Sequence, residues 1–293
     1  GTVAFRPSVE EIIAEAYDKV GKNGSITIQE ARSHETSLDL VEGFRFSSGW
    51  AATAFVNDER RGACKYEEPI FLVTDSKIEQ VNEILPALEI AARENRPFVI
   101  VADEVEGQAL AALIMNTMRG SMKVAAVKAP KYGEERRAIM SDLATATGAK
   151  FFQQSMGHKI TDVSLSDFGS AKSIEITKRE TTVVDGEGDY EKVDETIEKI
   201  KAEIDRTDDL HEAERLQNRI TRLSSGVAII RVGASSEVEM IEKKHRIEDA
   251  LEAVRSAQQE GVVPGGGMTL VRVANNLVVN FDSEEQSAAL QIF

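Results

Sequence analysis

Pro69-Ile70-Phe71-Leu72-Val73, Pro97-Phe98-Val99-Ile100-Val101 and Lys123-Val124-Ala125-Ala126-Val127 are three short, almost wholly apolar runs at similar spacing. Each is too short for a helix and too continuous for a strand with one wet face. They read as strands covered on both sides. Helical patterns separate them, over 77–95 and 105–119. A further helix over 134–147, stopped by Gly148, leads to a strand beginning Lys150-Phe151-Phe152. Alternation of this kind predicts an α/β layer structure with substantial parallel pairing and flanking helices.

Outward from this centre, Ile174–Val184 reads as one or two strands. Residues 190–223 are charge-rich, with Val193, Ile197, Ile200 and Ile204 at helical spacing, then Leu216, Ile220 and Leu223. Thr207-Asp208-Asp209 is the expected turn of an antiparallel helical hairpin. Towards the start, Ser8 and Glu11 have capping-box spacing for a helix to Val20 that Gly21 and Gly24 would end. Ser25–Ile28 is a short strand, and Leu38–Phe46 is extended with Gly43 as a pivot. Past Gly226 come a strand over Val227–Val232 and a long helix over Glu237–Glu260, capped by Ser235 or Ser236 and broken by Gly261. Gly265-Gly266-Gly267 precedes a last helical segment. No internal repeat appears.

Composition narrows the function. The net charge is -15, from 50 acidic and 35 basic residues, so phosphate backbones are repelled and nucleic acid is not an expected partner. Hydrophobic residues make up 42% and aromatics only 5%, which predicts an aliphatic core. Cys64 is the single cysteine, which excludes an internal disulfide and reads as an ordinary buried residue. No apolar run of membrane length and no signal peptide is visible. The start, Gly1-Thr2-Val3, lacks a methionine, and we expect a cut or processed chain. Four histidines (His34, His158, His211, His245) form no metal-ligand motif, and neither a P-loop nor a GxGxxG after a strand occurs.

The helix over 105–119 carries surplus grease. At 3.6 residues per turn, Leu113, Leu110, Ile114, Met118, Ala111 and Met115 cover an arc of roughly 200°, where one-sided packing needs little more than 100°. The excess is either buried by a second layer or left in water. The preceding helix places Ile78, Val81, Leu85, Leu88 and Ala92 on one face, widened by Ile84, Ala87 and Ala91. Pro86 must lie near its first turn or kink it, so Asn82 is the expected cap. Gly49-Trp50-Ala51-Ala52-Thr53-Ala54-Phe55 adds two aromatics in what reads as an irregular surface strand. Together these elements suggest an apolar groove for promiscuous binding.

Several stretches carry a resemblance that spans nearly the whole chain. They are Ala14–Lys22, Asp103–Gly107 with Asn116–Gly120, Lys123–Pro130, Glu237–Met240, Arg246–Leu251 and Glu260–Gly267. In this order they resemble the group I chaperonins, the bacterial and organellar GroEL-type family. The resemblance implies an α/β apical domain over 42–227, with parallel-rich sheet layers and a helical hairpin. It implies a small α+β intermediate domain in two segments, 1–41 and 228–259. Residues 260–293 would begin a second equatorial segment, with the equatorial domain otherwise mostly absent. Gly43 and Gly226 fall at the family's upper hinge. The family's client- and lid-binding positions match Trp50, Phe55, Leu85, Leu88, Leu110, Ile114 and Met115. Ala54 stands where the family usually has tyrosine. Ser48 replaces an arginine that pairs with a glutamate matching Glu237.

Asp249 matches the aspartate that helps activate water for ATP hydrolysis, and Gly265, Gly266 and Gly267 match a loop lining the nucleotide pocket. Ser256 and Pro264 both stand where alanine is usual. The family's phosphate-cradling Gly-Asp-Gly-Thr loop is not found in these 293 residues. The resemblance therefore implies ATP and magnesium in an intact parent ATPase, with none bound to this piece and no turnover by it. Expected partners are unfolded proteins, a lid co-chaperonin and further copies in a homo-oligomeric ring, in the cytoplasm. An organellar matrix or a viral origin stays open. A nucleotide-independent holdase and an unrelated α/β enzyme remain the alternatives.

Overall fold

The computed structural model describes residues 8–20, 25–31 and 33–276. The chain divides into two compact units, Gly1–Met240 and Ile241–Phe293.

The first unit opens with α1 (Val9–Val20), β1 (Ser25–Glu30), β2 (Ser37–Phe46), a 3-10 turn over Thr53–Phe55, and β3 (Cys64–Glu67). Next come β4 (Ile70–Thr74), β5 (Lys77–Ile78), α2 (Val81–Glu94), β6 (Phe98–Ala102), β7 (Glu104–Val105), α3 (Gly107–Met118) and β8 (Val124–Lys128). Then follow α4 (Gly133–Thr147), β9 (Phe151–Phe152), β10 (Gly169–Ile176), β11 (Thr181–Gly186), α5 (Tyr190–Ile204), α6 (Leu210–Leu223) and β12 (Gly226–Val232). The helix α7 (Glu237–Glu260) begins in this unit, and the second unit holds its residues from Ile241 onward together with α8 (Met268–Asn276).

The sheet order is β1-β12-β2-β11-β10-β4-β6-β8, with β3 also on β10 and β9 also on β4. The three apolar runs stand side by side at one end of it and are covered: β4 and β6 are buried at every residue, and β8 at all but Lys128. Pairing of β4 with β6, β6 with β8 and β4 with β9 is parallel, as the alternation requires. The rest is more antiparallel than that alternation suggests, since β10 pairs antiparallel with β3, β4 and β11, and β2 with β11 and β12. Right-handed crossovers moving the same way along the sheet put α2 and α3 on one face. The return through α4 to β9 goes to the other.

Local capping follows the sequence. The Ser8 amide donates to Glu11 Oε2 (2.8 Å) and the Glu11 amide to Ser8 Oγ (3.2 Å). Of the two serines before α7, Ser236 is the cap, its Oγ accepting from the Glu239 amide at 3.2 Å. The helical hairpin forms as expected, its helices capped by Asp189 and Asp209, which accept from the Glu191 and His211 amides. Its anchor is a buried carboxylate: Asp142 on α4 receives Arg219 Nε and Nη2 from α6 at 2.9 and 2.8 Å. Burial pushes the Asp142 carboxyl up and the guanidinium only partly pulls it back. The proposed helix stops Gly21 and Gly24 lie outside the described residues.

Three expectations are corrected. Lys77 and Ile78 are not helical but form β5, paired parallel with Glu104 and Val105 of β7. The cap of α2 is therefore Gln80, not Asn82, with Glu83 Oε2 accepting from the Gln80 and Glu79 amides at 2.7 and 3.0 Å. Pro86 sits inside the helix rather than in its first turn. Apart from these, Gly43 and Gly226 adopt no left-handed backbone. Gly43 is needed for space, since a Cβ there would stand 1.9 Å from Val227 Cγ2.

Strand β2 changes partner at this glycine. Ser37–Glu42 pairs with β12, while Gly43–Phe46 pairs with β11. One continuous strand thus joins two differently bonded parts of the sheet, with Gly43 at the changeover and Gly226 facing Glu42 beside it.

Candidate functional site

The apolar seam is built from α2, α3 and the 3-10 turn beside α3. The β5–β7 pair launches both helices from adjacent parallel strands, so they run side by side in the same direction. Glu106 N donates to Ile78 O and Ala109 N to Glu79 O, both at 2.9 Å. Gly107 makes the turn with φ +58, and a side chain there would also press on Glu79 O at 3.2 Å. Lys77 Nζ ties the two starts together, 2.9 Å from Glu79 and 2.7 Å from Glu106. Those two carboxylates raise the Lys77 pKa, with Glu106 the larger cause.

This frame decides which side chains are wet. On α3, Ala109 and Leu113 face the core, Leu110 and Ile114 are half-buried, and Met115 and Met118 are 45% and 73% exposed. The surplus arc is therefore left in water and not buried by a second layer. On α2 the inner face is Leu88, as expected, together with Ile84, Ala87 and Ala91, which were expected only to widen it. Leu85 points outward at 47% exposure, with Ala92 exposed on the same helix.

Phe55 and Leu88 depart from the expectation of an open groove. Phe55 is fully buried and Leu88 nearly so, because the 3-10 turn folds Phe55 into the core instead of running as a surface strand. They support the seam from beneath. Trp50 is half-buried and fixed by Nε1 donating to Gly62 O at 3.1 Å. Met118 was missing from the expected site residues. Its signal was its place three residues beyond Met115 on the apolar arc.

Cys64 is sealed in the core, and burial pushes its thiol up to about 12. No group of His, Cys, Asp and Glu among the described residues could hold a metal ion, and no helix among them is long and apolar enough to cross a membrane. In the second unit Asp249 is exposed on α7, and Gly265–Gly267 form an exposed turn before α8 with nothing within 4 Å of a Cβ at any of the three. One carboxylate and an open glycine turn do not complete a phosphate cradle.

An α/β body that keeps large apolar side chains in water on two locked, neighbouring helices presents an interaction surface. The chain belongs to the TCP-1/cpn60 chaperonin family, whose model matches residues 63–293. Chaperoning of protein folding is the function class of that family, and unfolded clients and self-association go with it in general. The match includes α2, α3, Gly226, Asp249 and the glycine turn; Gly43, Trp50 and Phe55 precede it.

Proposed function

We propose that this chain is the client-gripping and hinge part of a group I, GroEL-type chaperonin, with its grip on the α2–α3 seam. The observation that carries the reading is the exposure of Leu85, Met115 and Met118 on two helices fixed to each other at their starts. Leu110, Ile114 and Trp50 line the floor of the grip, and Phe55 and Leu88 hold that floor in place. A lid co-chaperonin competes for the same seam. The lever bends where β2 changes partner, at Gly43 and Gly226. In an intact ring, Asp249 and the Gly265–Gly267 turn would be part of a site for ATP and magnesium, whose phosphate cradle other residues would have to supply.

The energy scale fits a reversible grip. Fully burying a leucine or methionine is worth about 1.5–3 kcal/mol, so the exposed halves of Leu85 and Met115 offer about 1 kcal/mol each. The exposed part of Met118 adds about as much again. Association entropy removes much of this sum, which leaves one seam weak.

The test is titration of the chain with a fluorescent, reduced and carboxymethylated protein that cannot fold. Hydrogen exchange is followed with and without this client. Saturable binding that slows exchange within residues 81–118, and no binding of the same protein in its native form, is expected. Binding without protection of that segment would refute the assignment of the seam.

A further inference from the structure

A second concave feature lies elsewhere on the first unit, between the end of β2, the loop before α4, and α6. It is an open cleft of about 250 Å³ whose walls include Arg45, Lys131 and Arg222, with Ser47, Asn218 and Thr221 between them. Three cationic side chains meet at one cleft of a chain whose net charge is -15.

Two of the three are held there against local cost. Lys131 has φ +58, a left-handed conformation that a residue with a Cβ disfavours. The loop is locked in that shape because the Lys131 carbonyl accepts from Arg136 Nε and Nη2 at 2.9 and 2.6 Å, and Arg136 also pairs with Asp103. Arg222 lines the cleft while its Nη1 is sealed from water with no hydrogen-bond partner. Burial lowers its pKa, with Asp142 and Glu135 opposing and Arg219 assisting. Asp142 does not reach that nitrogen, and its oxygens accept from Arg219 instead. Arg45 pairs with Glu180 at 2.7 Å. An unpaired buried donor and a left-handed lysine on one cleft call for an explanation, and a bound anion supplies one.

We infer that this cleft is an oxyanion site that takes a phosphate group, free or as a small monoester, between Lys131 and Arg222, with Arg45 at its edge. Asn218 and Ser47 supply neutral donors. The site is separate from the α2–α3 seam, so its fate does not depend on the client-binding reading.

The test uses the 293-residue chain, titrated by calorimetry with inorganic phosphate and, separately, with phenyl phosphate, against chloride at matched ionic strength. A dissociation constant of about 1 mM is expected for so small a ligand. Lys131→Gly is the decisive variant. Glycine accepts the left-handed backbone, so its melting temperature should be unchanged or raised while phosphate affinity falls at least tenfold. A lysine serving only structure would show the two moving together. Arg222→Met, which removes the sealed charge, should also weaken binding at least tenfold. Binding of both ligands, or of the ester alone, supports the site and tells free phosphate from a monoester. No heat up to about 10 mM, or affinities that both variants leave within threefold, would overturn it.

Discussion

Replacing Leu85 and Met115 together by serine separates grip from fold. Leu85 is 47% exposed and Met115 45%, so each keeps about half its surface for a client. Full burial of such a side chain is worth about 1.5–3 kcal/mol, and the exposed halves together amount to about 2 kcal/mol. That corresponds to about a thirtyfold loss of client affinity. The buried halves cost a similar amount of folding stability, which a domain of ordinary stability (about 5–15 kcal/mol) survives. Fluorescence anisotropy with an unfolded labelled protein reads the affinity, and urea unfolding reads the fold. Leu113→Ala is the contrasting variant, because Leu113 is fully buried on the same helix. It should lose about 2–5 kcal/mol of stability and keep its affinity while folded. If the serine pair binds within threefold of the parent, or Leu113→Ala loses affinity while fully folded, the seam is not the grip.

Asp142→Ala should destabilise the chain by about 3–5 kcal/mol in urea, because it strands the Arg219 guanidinium at the root of the hairpin. Replacing both partners with leucine should restore most of that, and a loss under about 1 kcal/mol for the single change would show that the pair does not anchor α6. Asp167 gives a pH signature. Burial raises its pKa, but Ser164 N and Oγ, each 2.8 Å away, and Lys150 outweigh burial and hold it below 3.8. A depressed carboxylate contributes stability above its unfolded value and loses it as pH falls through the folded one. Asp167→Asn should therefore cost about 0.5–1 kcal/mol at pH 7, and the gap to the parent should close below pH 4, followed by thermal melts. A gap constant down to pH 2 would contradict this.

What could be read from residues alone was whatever depends on near neighbours. The runs at 70–74, 98–102 and 124–128 announce buried strands because their alternation is missing, and Ser8 with Glu11 announces a helix start. Lys77-Ile78 went unread as a strand because its partner, Glu104-Val105, lies far along the chain, and the two residues alone continue a helical pattern. The α2 pattern also offers two overlapping apolar faces, and only the packing chooses between them. Leu85 became a wet residue and Ile84 a core one. The antiparallel join of β10 with β3, β4 and β11 is likewise invisible locally. For the seam, composition identified too much grease on α3, but only the packing shows that Met115 and Met118 are on its outside and Phe55 beneath.

The rigidity of the seam matters as much as its grease. Exposed methionines on a mobile helix would collapse onto the nearest apolar surface of their own chain. Here the β5–β7 pair, the Glu79 carbonyl and Lys77 fix both helix starts, and Met115, Met118 and Leu85 are on the outside of that frame. The order is therefore already in place before a client arrives, and little of the few kcal/mol on offer is lost to arranging the helices. The remaining weakness is one of number. A single seam worth about 3 kcal/mol before entropic costs holds nothing for long, whereas several copies in one assembly raise avidity by orders of magnitude with no new contact. If the seam is the grip proposed above, self-association makes a weak site the useful one, because a client held by several seams would be released once a few of them let go.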